Sequence, residues 1–144
     1  MRIRTFLAIA IMVFSHRLAI ADTLKSEAEL RTFANSVMAE VGSGDLDAAF
    51  ALMKRYSVIP PTEFDVVTLN TKAQRDQLGG RFGAAVGYEF ISESKVGQSL
   101  VRLTYIEKTE RHALPWMFFF YRSPEGWVLN SFIWHDQFPN LFGV

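Results

Sequence analysis

His135 and Asp136 form the one neighbouring histidine–aspartate pair in the chain, and proton transfer is the chemistry they could perform. A carboxylate becomes a general base when a pocket desolvates it and raises its pKa. Asp136 is therefore the catalytic candidate, for a small lyase or isomerase working in an aromatic pocket. His135 is badly placed to assist, because successive strand residues point to opposite faces. The ordinary place for a strand-end aspartate is water, and that bland reading is preferred. His112 follows Arg111 in an expected turn and should face solvent. No H-x-x-x-H or H-x-H spacing occurs, so a zinc site would need carboxylates from distant segments. The chain has no cysteine, which removes disulfides, thiolate metal sites and a cysteine nucleophile. A G-x-S-x-G elbow is missing too. Gly79-Gly80-Arg81-Phe82-Gly83 lacks the Lys-Ser/Thr ending of a phosphate loop and reads as a helix end. No metal or cofactor is expected.

The aromatic residues, 13 Phe, 4 Tyr and 3 Trp, carry a second kind of signal. Alternation along a strand sends Trp116, Phe118 and Phe120 to one face and Met117, Phe119 and Tyr121 to the other. In the following strand Leu129 and Ile133 oppose Phe132 and Trp134. A sheet covered on one side should alternate apolar with polar, and these strands do not. Helices can cover one face. The other must meet a ligand, a second copy of the chain, or the C-terminal segment Phe138 to Phe142. Tyr105, Trp116, Phe118, Phe132 and Trp134 are the candidates for a ligand or dimer surface, with a homodimer as first expectation because two-fold pairs are the commonest oligomers. A hairpin centred on Pro124-Glu125 would set Arg122 opposite Trp127, Phe118 opposite Ser131 and Trp116 opposite Ile133. A slip of one residue would exchange the faces.

Local rules say which elements hold these residues. Ser26 with Glu29 makes a capping box, and Leu30, Phe33, Val37 and Val41 follow at helical spacing until Gly42 and Gly44. Asp45 caps a second helix whose buried side is Leu46, Ala49, Phe50, Met53 and Tyr56. Beyond Pro60-Pro61, Thr62 opens a third helix, less clearly amphipathic, with Phe64, Val67, Thr71, Leu78 and Phe82 inward. From about Ala85 the period changes to two. Strands are expected near Val86–Lys95, Ser99–Thr109, Ala113–Arg122 and Trp127–Asp136, joined by short turns and hence antiparallel. Ser123-Pro124-Glu125-Gly126 is a strong turn, whereas Glu110-Arg111 is poor hairpin chemistry. The expected fold is α+β, three helices packed on a curved four-stranded antiparallel meander.

In Gly44-Asp45-Leu46-Asp47-Ala48-Ala49-Phe50, in Trp116 to Arg122 and in Gly126 to Phe132, the chain resembles the nuclear-transport-factor-two-like, cystatin-like group of small cone-shaped α+β proteins. The resemblance spans nearly all of the chain after residue 21. It implies the cone fold, and an acidic residue in the cone for those members that are isomerases. No tyrosine–acid pair here matches their motif. Because the group also holds dehydratases, transport factors and exported proteins without assigned chemistry, the resemblance selects no activity.

The first 21 residues have the layout of a secretory signal peptide: a basic head over residues 1–5, an apolar run from Phe6 to Phe14, and Ala19-Ile20-Ala21 before Asp22. The run is too short to span a bilayer. The expectation is a periplasmic or secreted domain from Asp22 to Val144, with no transmembrane segment after cleavage. Removing Arg2, Arg4 and Arg17 leaves the 15 acidic residues three in excess over the basic ones. A mildly acidic product without a basic run speaks against nucleic acid as partner. Surplus aromatic surface and the lack of a catalytic set together favour a binding or structural module for a small apolar ligand or an envelope protein over an enzyme.

Overall fold

The computed structural model describes residues 20–143. Within them α1 (Glu27–Ser43), α2 (Leu46–Tyr56) and α3 (Pro61–Phe82) precede β1 (Ala85–Val96), β2 (Leu100–Thr109), β3 (Ala113–Ser123) and β4 (Gly126–Trp134), and a 3-10 turn closes the C-terminus at Phe138–Phe142. The strands form one open antiparallel sheet in the order β1-β2-β3-β4. This is the expected α+β arrangement. The basic head and apolar run of the expected signal peptide lie outside the described residues. Among the described residues no helix is long and apolar enough to cross a membrane.

The helix ends follow their sequence signals with instructive differences. The Ser26 hydroxyl accepts from Glu29 N, but the Glu29 carboxylate takes the N–H of Lys25 (2.7 Å) rather than that of Ser26. Asp45 caps α2 as expected, accepting from Ala48 N at 2.9 Å. Helix α1 runs straight through Gly42 and stops at Gly44, where φ is +88° and the N–H of Asp45 reaches back to Glu40 O. Gly42 is there for another reason. A Cβ on it would stand 2.8 Å from the carbonyl carbon of Gly87, so this glycine pair is what lets α1 lie directly on β1. Pro61 rather than Thr62 opens α3, its missing N–H falling in the first turn where no partner is due.

The β2–β3 turn shows how weak turn residues are rescued. The Thr109 hydroxyl accepts from His112 N at 3.1 Å. Arg111 reaches the C-terminal carbonyls of α3, donating to Arg81 O at 3.2 Å, while its own N–H meets Phe82 O at 3.0 Å. Tertiary bonds to a neighbouring helix end thus hold a turn that local chemistry would not. The β3–β4 hairpin needs no such help, and Ser123 pairs with Gly126 across Pro124-Glu125. The free edge of β4 is covered over its first half by Leu24, bridged to Trp127, and by Ser57, bridged to Leu129.

The core lies between the sheet and α1 with α2. Phe33, Phe50, Leu103 and Phe118 belong to one buried cluster with Val37, Met53, Trp116 and Leu129. Helix α3 contributes far less, burying only Phe64, Thr71 and Phe82 over 22 residues.

Candidate binding surface

The strand register sorts the sheet into two faces. Facing the helices are the rows Lys95–Val101–Phe120–Leu129, Glu93–Leu103–Phe118–Phe132 and Phe90–Tyr105–Trp116–Trp134. Facing away are Val96–Leu100–Tyr121–Val128, Ser94–Arg102–Phe119–Ser131 and Ser92–Thr104–Met117–Ile133. One irregularity produces this arrangement. A bulge in β4 leaves Asn130 without a partner between Leu129 and Ser131, so Phe118 faces Phe132 instead of Ser131, and Trp116 faces Trp134 instead of Ile133. Arg122 opposite Trp127, on the turn side of the bulge, is as expected. Leu129, Phe132 and Trp134 therefore share the inner face, and Ile133 stands alone outside.

All five candidate surface residues lie on that inner face. Tyr105, Trp116 and Phe118 have no exposed area, and Phe132 and Trp134 are half-buried against the core. They form an aromatic stack, with Trp116 against Trp134 at 6.3 Å and against Phe132 at 6.5 Å. Tyr105 donates its hydroxyl to Asn35 Oδ1 at 2.8 Å, and burial pushes its phenol up to about 12 despite the opposing influence of Arg31. Tyr105, Trp116 and Phe118 thus belong to the core, and Phe132 and Trp134 pack against it, Trp134 also lining an open groove.

The inner face also holds an ion pair that periodicity alone overlooked. Glu107, with no exposed area, receives both terminal nitrogens of Arg75 from α3, one of them at 2.6 Å, and the indole N–H of Trp116 at 3.0 Å. The Arg75 guanidinium also lies 5.3 Å above the Trp134 ring. Three donors on two oxygens satisfy the buried carboxylate, and the pair occupies the space between the sparsely packed α3 and the sheet. A signal was present in the sequence. Glu107 continues the Val101, Leu103, Tyr105 alternation, and a charge at an inward position calls for a partner.

Asp136 lies just past the end of β4, half-buried, in an open groove of about 350 Å³ shared with Gln74, Gln77, Trp134 and His135. Its backbone oxygen, which can only accept, lies 2.8 Å from His112 Nε2, and that assigns the imidazole proton to Nε2. His112 is stacked on Phe82 at 4.0 Å and is half-buried instead of facing solvent. His135 is turned to its own backbone, Nδ1 accepting from Gln137 N at 3.2 Å. The imidazole and carboxylate of the neighbour pair are not joined. Among the described residues no three histidine or carboxylate side chains gather into a metal-binding group.

The outer face is what the fold leaves uncovered. Val96, Leu100, Tyr121 and Ile133 are 69, 47, 43 and 47% exposed, with Met117 and Phe119 half-buried between them. The C-terminal 3-10 turn meets β3 but buries none of its own residues, and Phe142 is 79% exposed. At the β1–β2 hairpin end the outer rows enclose a cleft of about 280 Å³. No protein-family model, characterised protein or solved structure matches the chain.

Proposed function

We propose that this is an exported, non-catalytic binding or structural module of the nuclear-transport-factor-two-like kind, and that it engages an apolar partner through the outer face of its sheet. One observation carries this reading: six apolar side chains at least partly exposed on the outer rows, while the inner face is filled by its own ion pair and aromatic stack. Contiguous exposed apolar surface in a water-soluble domain marks an interaction site. The surface expected of a dimer therefore moves from the Trp134 side of the sheet to the Tyr121 and Ile133 side. The Asp136 groove supports catalysis less well, being open and lacking a joined base and orienter.

The test combines sedimentation with binding of the apolar dye anilinonaphthalene sulfonate. The processed chain should self-associate or bind the dye, and Tyr121→Glu and Ile133→Glu should each remove that behaviour without changing circular dichroism or Tm. A wild-type chain that stays monomeric at high micromolar concentration and takes up no dye would refute the proposal.

A further inference from the structure

We infer that the cleft at the β1–β2 hairpin end takes one amphiphilic anion, a medium-chain fatty carboxylate whose chain lies against Leu100 and Phe119 and whose head meets Arg102. The inference rests on the reading of the outer face as the binding surface and names its ligand. Three features carry it.

The first is shape. The cleft, about 280 Å³, is bounded by Val96, Leu100 and Phe119, with backbone from the Val101 and Phe120 positions closing its floor. That is near the lower end of the range for small-molecule pockets, roughly 300–1,000 Å³, and suits a single alkyl chain. A second copy of the sheet would lay strands across the opening and leave the hollow empty, losing contacts there. The second feature is composition, since side-chain polarity in the lining is confined to Ser94 and Arg102.

The third is charge. Arg102 stands between Ser94 and Phe119 in the same outer row and donates from Nη2 to Ser94 Oγ at 3.0 Å. A guanidinium has five N–H donors. Among the described residues no ion pair engages this one, and no carboxylate lines the cleft. Ser94 holds the planar group at the rim, where a carboxylate head could take two of the remaining donors side by side. An alkyl slot beside one oriented, uncompensated cation is complementary to a chain with a single negative end.

Calorimetry of the processed chain with hexanoate to tetradecanoate, below their aggregation limits, tests this, with dodecanol as the neutral probe. One molecule should bind per chain, with affinity rising about fourfold per methylene until the cleft is full. Arg102→Gln should weaken dodecanoate about tenfold and leave dodecanol unchanged. Leu100→Ser, at a half-exposed position that folding tolerates, should weaken both. Equal binding of dodecanoate to wild type and Arg102→Gln overturns the assignment. So does binding to phosphatidylglycerol vesicles without binding of free dodecanoate, which would make the face a membrane-contact surface. Failure of dodecanoate to bind, with Ile133→Glu still removing dye binding or self-association, overturns the ligand and leaves the outer face standing. Failure of both sinks the outer face as well.

Discussion

Glu107 and Arg75 are the two residues whose environment most constrains the molecule. A carboxylate with no exposed area is tolerable only while its partners stay in place, because removing one leaves a buried charge unpaired. Arg75→Ala should therefore cost about 3–5 kcal/mol in urea denaturation, whereas Arg75→Met with Glu107→Leu should recover most of the loss. A single-variant loss below about 1 kcal/mol, the size of a surface change, would contradict the burial. Tyr105 makes a prediction in pH. Its phenol is held up to about 12, above the unfolded value of about 10. The folded state keeps this proton while the unfolded state loses it. The contribution is thus complete below pH ~10 and lost as pH rises toward ~12. Tyr105→Phe should lower the neutral-pH baseline by about 1 kcal/mol through the orphaned Asn35, yet fall less steeply from pH ~10 to ~12. Parallel slopes for the two proteins would exclude Tyr105 as the titrating group.

Among the elements, α1 and β1 approach as closely as the backbone allows, and the Gly42–Gly87 contact sets the distance. Gly42→Ala must push helix and strand apart, because the atoms its Cβ would meet are backbone and cannot rotate away. The expected loss is about 1–3 kcal/mol. Gly80 on α3 gives the opposite sign. It is helical, with nothing within 4 Å of an added Cβ, so Gly80→Ala should stabilise by about 0.5–1 kcal/mol. Equal behaviour of the two variants in chemical denaturation would show that the close approach is not maintained. The two glycines cannot be told apart from the sequence. Gly42 reads as a helix stop because glycine is a poor helix former, but its actual role is set by a strand about 45 residues away.

For the whole molecule, the decisive feature is that one sheet has two apolar faces and only one set of helices. The inner face is closed by α1 and α2 through packing, and toward α3 through the Arg75–Glu107 pair. Among the described residues the outer face has no helix packed over it, although Val128 and Thr104 within it are buried, and it carries the apolar cleft beside Arg102. The assembly and the ligand binding proposed above thus fall on the same surface. The Asp136 groove lies elsewhere, between α3 and the end of β4.

What the sequence determined by itself is whatever obeys short-range rules. The Asp45 cap, the Pro124-Glu125 turn, the helical stripe from Leu30 to Val41 and the change of period near Ala85 each depend on neighbours a few residues away. Together they yield three helices and an antiparallel meander. The membership of Phe33, Phe50, Leu103 and Phe118 in one core follows from the same periodicities. What only the tertiary structure decided is which way the last strand faces. In β4 both parities are apolar, so alternation contains no information about the inward side, and one bulged residue at Asn130 exchanges them. That exchange turns Trp134 toward the core, leaves Ile133 outside, and is why the proposed surface lies on the other face of the sheet. The Arg75–Glu107 pair and the cleft beside Arg102 were settled in the same way, because each joins segments whose separation is bridged only when strand register and helix packing are established together.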